Sequence, residues 1–314
     1  MLMLTLRRLL GTATVFLLVA VLVFLMLRLA PGDPAVLLVG DHGTPEDVAQ
    51  VRAYLKLDEP LPTQFLVWLG NVLQGDLGRS FYHHQPVSQV LLDRVGPTFA
   101  LAMVTLLLTV CVAIPLGVLA AWRHGTWLDR SVLGLSVLGF SLPSFVLGYL
   151  LIWLVGLKAG LLPTQGYERL GTGSPWTTLR YLILPAVTLT IVYTALIARV
   201  TRATVSEALT EDYVRTARSK GLTELRVLFR HALANSAVPI VTVVAIGIGM
   251  LISGVVVTET VYAIPGLGLL TVDAVQARDY PVIQGVTLFF SAVYVLVNLL
   301  VDISYVLFDP RIRY

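Results

Sequence analysis

Six apolar stretches, each about as long as a membrane-crossing helix of roughly 20 residues, limit what this chain can fold into more than any other feature. They run Leu9 to Ala30, Pro97 to Trp122, Ser131 to Gly156, Tyr181 to Val200, Ala237 to Thr258 and Val282 to Val306. A helix rises ~1.5 Å per residue, so each can cross the ~30 Å of hydrocarbon in a bilayer. Peptide groups inside hydrocarbon find no water, so a stretch that enters it must be helical. The expected fold is all-α, a polytopic membrane protein with six transmembrane helices. Composition agrees: 56% of the residues are apolar and 13% charged, against about 25% charged in a water-soluble domain. The net charge of +3 does not point to nucleic acid, because the basic residues gather in short loops between apolar runs. Arg7 and Arg8 before the first run raise the alternative of a signal peptide. That run is too long, and Arg28-Leu29-Ala30-Pro31 is a poor cleavage site, so an uncleaved anchor is expected.

Charge sets the expected orientation. With a cytoplasmic N-terminus, the inner segments hold most of the basic residues: Arg7, Arg8, Arg123, Arg130, Arg199, Arg202, Arg215, Arg218, Lys220, Arg226, Arg230, Arg311 and Arg313. The outer segments carry more acids than bases. Both termini are therefore expected in the cytoplasm. The chain then divides into 1–30 (cytoplasmic end and first span), 31–96 (an external helical segment), 97–306 (a five-helix core with a cytoplasmic loop at 202–238) and 307–314 (a cytoplasmic tail). In the external segment, Thr44-Pro45-Glu46-Asp47 predicts a helix start that places Val48, Val51 and Leu55 on one face. Pro60 and Pro62 end that helix, and Phe65, Leu66, Leu69 and Leu73 predict a second, amphipathic one. Both are expected to lie on the membrane surface or to cap the bundle, a packed cap rather than a catalytic element. His83 and His84 have no metal-ligand neighbours in sequence and read as a loop feature; Cys111, in an apolar run, is expected to be a small buried residue.

The inner loop from Arg202 to Val238 is the longest on its side. Val205 to Lys220 predicts a helix, Gly221 sits where a C-terminal cap belongs, and Thr223 is expected to cap a second helix from Glu224 to Ala234. Two short helices meeting at a glycine make a compact knob. Composition alone leaves a docking surface and a solvated helical loop equally open.

The residues of that knob carry a resemblance. Glu207-Ala208-Leu209, Asp212-Tyr213-Val214-Arg215-Thr216-Ala217-Arg218-Ser219-Lys220-Gly221, His231-Ala232-Leu233-Ala234-Asn235 and Pro239 resemble the EAA loop of permease subunits in ATP-binding-cassette importers. Leu209 stands where the motif has its second alanine. Pro31-Gly32-Asp33-Pro34, Gly75-Asp76-Leu77-Gly78, Leu162-Pro163-Thr164, Glu259-Thr260-Val261-Tyr262, Pro265-Gly266-Leu267-Gly268 and Phe308-Asp309-Pro310-Arg311 narrow the likeness to the dipeptide, oligopeptide and nickel permease family. The resemblance implies a type I importer permease bundle in a bacterial or archaeal inner membrane. It implies a second homologous permease, two ATPase subunits that hold ATP and Mg, and an extracytoplasmic substrate-binding protein. It places Tyr213, Ala217, Gly221 and Leu222 at or near the ATPase contact, with Glu207, Ala208 and Asp212 in the same coupling segment. Arg215, Arg218 and Lys220 fit either that contact or the inner-charge bias alone.

No Gly-x-x-x-x-Gly-Lys-Ser/Thr phosphate cradle is present in the sequence, so nucleotide chemistry is expected on a partner, with no cofactor in this chain. Gly247-Ile248-Gly249 reads as close helix packing. Polar residues within spans, Ser141, Ser144, Thr188, Thr190 and Asn298, are candidates for a translocation pathway, with ordinary helix-to-helix bonding as the other reading; Pro115, Pro143 and Pro185 can kink spans. Asp302 is expected to pair with Arg311 or Arg313. An ion-driven secondary transporter is the alternative function, but it needs coupling acids at mid-membrane, and no inverted repeat is evident.

Overall fold

A computed structural model describes residues 2–29, 33–39, 44–169 and 174–308. Pro31-Gly32 and Asp309-Pro310-Arg311 of the motifs above lie outside the described residues, as do Arg313 and the side chains of Arg7, Arg8 and Asp302. Among the described residues the elements are helical: α1 (Leu2–Leu29), α2 (Pro34–Val39), α3 (Pro45–Tyr54), α4 (Leu61–Leu73), α5 (Val87–Trp122), α6 (Trp127–Ser141) and α7 (Ser144–Leu151), which continues as a π-helical stretch Ile152–Lys158. Then come α8 (Pro175–Ala208), α9 (Asp212–Ser219), α10 (Glu224–Arg226) running into π-helical Val227–Leu233, α11 (Ala237–Tyr262), α12 (Leu267–Gln276) and α13 (Tyr280–Phe308). Among the described residues, α5, α8, α11 and α13 are long and apolar enough to cross a membrane. The described apolar part of α1 is shorter, Ala13–Leu29.

The third apolar stretch is not one straight helix. α6 and α7 meet at an angle of 102°. Leu142 is extended (φ −89°, ψ 127°), as the residue before a proline prefers, and Pro143 starts the second limb. Together the limbs form one broken span or a re-entrant loop. Pro115 and Pro185, by contrast, lie inside helices that continue through them. Cys111 is exposed rather than buried, on the same side of α5 as Leu107, which is 59% exposed.

The chain forms two compact units. The first comprises residues 1–96 and 266–296. Its core joins Val87, Val90 and Leu91 of α5 to Leu267, Leu270 and Ala274 of α12 and to Val282, Ile283 and Val286 of α13. A second cluster packs Ala20 and Val23 of α1 and Leu288 of α13 against Phe65, Trp68, Leu69 and Val72 of α4. Leu66 and Leu73, expected on the inner face of α4, are instead 67% and 74% exposed. The inner stripe is shifted by the two aromatic rings: Phe65 and Trp68 sit 5.3 and 5.7 Å from the Phe24 ring. α3 begins as its sequence predicts. Thr44 Oγ1 accepts from the Asp47 N–H, and the Asp47 carboxylate in turn accepts from the Thr44 hydroxyl (2.7 Å) and the Thr44 N–H (3.0 Å), which hold the Asp47 carboxyl below its ordinary range. Arg52 at the other end of α3 pairs with both Asp33 and Asp58. Asp279, almost fully buried, ties the 79–86 turn to the start of α13 by accepting from Ser80 Oγ (2.5 Å) and the Tyr82 N–H (3.3 Å).

The second unit comprises residues 97–265 and 297–314. α8 is its centre: 61% of its apolar window is buried, against 22–33% for the other long helices. Leu182, Leu189 and Tyr193 meet Leu251, Val255 and Tyr262 of α11, while Ile197 and Ala198 meet Ala113 and Ala120 of α5 and Val132 of α6. Glycines permit the closest approaches. Gly247 of α11 lies against Ile197, where a Cβ would be 3.4 Å from the side chain. At Gly117 of α5 a Cβ would stand 2.7 Å from the Ala198 carbonyl oxygen and from Thr201 Cβ. Backbone cannot yield as a flexible side chain can, so Gly117→Val is expected to separate α5 from α8 and to cost about 1–3 kcal/mol. Thermal melting in detergent checks this, and an unchanged midpoint would contradict the close packing.

Candidate functional site

The second unit holds the 202–238 loop, and the structure changes its expected shape. Val205 to Lys220 is not one helix: α8 ends at Ala208, a turn at Leu209–Glu211 intervenes, and α9 starts at Asp212. The turn closes with the Thr210 Oγ1 hydroxyl donating to the Glu207 carbonyl (2.7 Å). At the far end of α9, Gly221 has φ +77°, and Leu222 N–H bonds back to the Ala217 carbonyl. This left-handed C-terminal cap is where glycine avoids the Cβ penalty of other residues. The cap aims the chain into α10, and Arg218 spans the turn to hold Glu224 by two bonds of 2.9 and 3.1 Å. Thr223 makes no side-chain cap to α10.

The knob has its own core. Val214 and Ala217, one turn apart on α9, pack with Val227 and against Leu209 and Leu222. Ala217 and Ala208 are thus buried within the chain, Leu222 is half-buried, and Glu207, Asp212 and Gly221 are exposed. Tyr213, one turn before Ala217, is 37% exposed, and Arg215 pairs with Asp212 (3.3 Å). Leu228 and Ala232 of the π-helical stretch seat the knob against Val118 and Ala121 of α5, Val205 and Ala208 of α8 and Ile240 of α11.

An ion pair that no sequence signal announces fixes the same region. Arg202 Nε and Nη2 each reach the Asp129 carboxylate at 2.8 Å, and the Gly125 N–H adds a third bond at 2.9 Å. Asp129 is 2% exposed. It lies in the first turn of α6, where the helix dipole also favours an anion. Arg202 holds the Asp129 carboxyl below the ordinary carboxylate range, and Asp129 raises the guanidinium in turn. The residues are 73 positions apart, so only the packing of α6 on α8 brings them together.

The candidate pathway residues separate. Thr188 is buried and shares a hydrogen bond with the Tyr262 hydroxyl (2.8 Å), which lies 3.2 Å from the Gly148 carbonyl; α7, α8 and α11 are joined there. Thr190 is buried and accepts from Thr109 Oγ1 at 3.4 Å. Ser141 is exposed and donates to the Val137 carbonyl (2.8 Å), Ser144 is half-buried beyond the 102° bend, and Asn298 is exposed. Thr188 and Thr190 are thus bonded across helices, as membrane packing favours. A further acid entered the sequence reading only as part of a family motif. Glu259 of α11 is fully buried and accepts from Thr98 Oγ1 at 2.6 Å. Its place at the end of an apolar run was the available signal.

Comparison with known proteins agrees with this architecture. Residues 113–314 match the family model described as binding-protein-dependent transport system inner membrane component, and residues 1–102 match the N-terminal model of the same transport systems. The chain is 49% identical over 310 residues to a probable peptide ABC transporter permease protein of Sinorhizobium fredii, covering 98% of each. It is 44% identical over 309 residues to a glutathione transport system permease protein of Pectobacterium atrosepticum, again covering 98% of each. In fold it is similar to a chain of the MetNI methionine ABC transporter in an inward-facing conformation, with a TM-score of 0.59 at 19% identity, covering 70% of this chain and 97% of that one. With an all-helical bundle, apolar spans and matches along nearly its whole length, the chain belongs to the family of binding-protein-dependent transport system inner membrane components.

Proposed function

We propose that this chain is the peptide-conducting permease subunit of an ATP-driven importer, one half of a pathway completed by a second, homologous permease. Two ATPase subunits bind and hydrolyse ATP with Mg, and a soluble external protein delivers the peptide. The reading rests above all on the knob at 202–238, a folded unit with its own small core that is seated on three spans. Such a unit can take a push from a partner and pass it to helices, which a solvated loop cannot. Short peptides are the proposed cargo because relatives named for peptide and glutathione transport match end to end.

In this reading Tyr213 and the exposed face of α9 around Asp212 and Gly221 meet the ATPase, with Glu207 beside them, while Ala208, Ala217 and Leu222 hold the knob's shape. Ser144, beyond the bend, and Ser141 and Asn298 remain candidates for the pathway; Thr188 and Thr190 hold helices together around it. Co-purification from mild detergent tests the assembly. An ATPase pair and a second permease should accompany the chain, and peptide with its binding protein should stimulate hydrolysis in vesicles. Uptake driven by an ion gradient, with the ATPases absent, would refute the proposal.

Six spans with both termini in the cytoplasm complete the proposal. With Cys111 replaced by serine, a single cysteine at His124 should react only with permeant reagents, and one at Glu168 should react in intact cells. The reverse pattern would invert the topology.

A further inference from the structure

The first unit holds a partly open cavity of about 520 Å³ that the transport reading does not use. Its size falls in the ~300–1,000 Å³ range of small-molecule sites. One wall is a single face of α4, where Gln64, Val67, Trp68 and Asn71 follow helical spacing. The end of α1 supplies Leu27 and Arg28, and the 76–86 segment supplies Arg79 and Asp76. Most of the remaining lining is apolar.

Among the described residues, Arg28 is a cation positioned without an ion-pair partner. Its Nε donates to Gln64 Oε1 at 3.2 Å, and its guanidinium lies 3.7 Å from the centre of the Phe24 ring. Gln64, 5% exposed, is itself fixed by donating to the Leu57 and Glu59 carbonyls. Arg28 Nη2 is buried and has no hydrogen-bond partner among the described residues. A buried donor left unpaired is expensive, and a charged one more so. Arg79, the second cation of the wall, donates to the His84 carbonyl (3.3 Å). Asp76 is the one carboxylate among the described lining residues, and it accepts from the Gly78 N–H (2.9 Å), so positive charge is in excess.

The surroundings are those of a bilayer. α4 packs along the apolar run of α1, touching Phe16, Val19 and Ala20, and it turns Leu66 and Leu73 outward. Next to Arg28 on α1, Leu18, Leu22, Met26 and Leu29 are 59%, 60%, 42% and 77% exposed. An apolar cavity with a cation at the end of a spanning helix, flanked by exposed leucines, matches an amphiphile with a negative head. We propose that this cavity seats an anionic phospholipid of the surrounding bilayer, its phosphate at Arg28 and part of an acyl chain against Val67 and Trp68.

The test uses the intact transporter complex in phosphatidylcholine nanodiscs and reads lipid contact, with no transport or ATPase step, so it can fail while the permease reading stands. Brominated phosphatidylglycerol should quench the fluorescence of Trp68, identified as the part lost in Trp68→Phe. Half-quenching should come at a mole fraction about tenfold lower than with brominated phosphatidylcholine, the scale of one charge-assisted contact. Arg28→Gln should abolish that preference in a complex that still elutes intact. Should that variant not assemble, Val67→Phe, which fills the apolar part and keeps both arginines, should weaken the quenching. Equal quenching by the two lipids, an unchanged preference in Arg28→Gln or full quenching in Val67→Phe would each overturn the proposal. So would release of the quenching by millimolar inorganic phosphate or by the soluble binding protein, which would assign the site to a free anion or to a protein segment.

Discussion

Replacing Gly221 with valine is expected to leave the chain inserted and folded in the membrane while transport falls roughly 5- to 30-fold relative to ATP hydrolysis, the factor that about 1–2 kcal/mol of strain represents. The backbone at Gly221 has φ +77°, and nothing stands within 4 Å of where a Cβ would point. Crowding therefore contributes nothing, and the whole effect comes from forcing a β-branched residue into the left-handed region. Relief of that strain unwinds the cap, frees Leu222 from the Ala217 carbonyl and loosens Val227 from Val214 and Ala217. Two controls make the result readable. Gly221→Asn should retain most coupling, because asparagine tolerates the left-handed region, and Gly221→Ala should fall between. The measurement is peptide uptake and ATP hydrolysis in the same reconstituted vesicles. Coupling in Gly221→Val equal to that of the native chain would remove this loop from the coupling path.

Breaking the Asp129–Arg202 pair should have the largest effect on stability. Asp129→Ala leaves the guanidinium without its buried partner, and removal of one member of such a pair costs about 3–5 kcal/mol. Arg202 keeps a side chain 20% exposed, so part of it can turn toward water and the lower end is expected. The melting midpoint in detergent should fall on the order of 10 °C. Asp129→Leu combined with Arg202→Met should recover most of the loss, because an apolar pair leaves no unpaired charge. The pH dependence has a definite sign. The folded-state carboxyl is depressed by Arg202, so its contribution is present above the ordinary carboxylate value of about 3.9 and is lost as pH falls through the lower folded value. Native chain and Asp129→Asn should therefore differ by a constant amount from about pH 5 to 8 and converge only under stronger acid. A variant as stable as the native chain at neutral pH would show that the pair does not hold α6 to α8.

Much of the 202–238 loop was legible because its signals are local. A glycine after a run of helix formers and an acid opening a short helix speak within one or two turns of chain. The interruption at Leu209–Glu211 was not legible, because every residue from Val205 to Lys220 can sit in a helix. What divides that run is burial: Ala208 belongs to the cluster on the spans, while Val214 and Ala217 belong to the core within the knob. Similar reasoning explains α4, where the aromatic contacts of Phe24 with Phe65 and Trp68 chose the inner face over the leucine stripe.

By itself the sequence determined that the chain is helical and lives in a membrane, since long uncharged runs admit no other backbone in hydrocarbon. It also carried the Thr44 cap, the Gly221 turn and the family, each written in neighbouring residues or in motifs. Tertiary structure alone decided which polar groups are satisfied and by whom: Asp129 by Arg202, Glu259 by Thr98, Thr188 by Tyr262. Those partners lie 73 to 161 positions apart. In an apolar medium a polar side chain must find its partner wherever the helices bring one within about 3 Å, and helical periodicity states only which face a residue occupies, not which helix that face will meet.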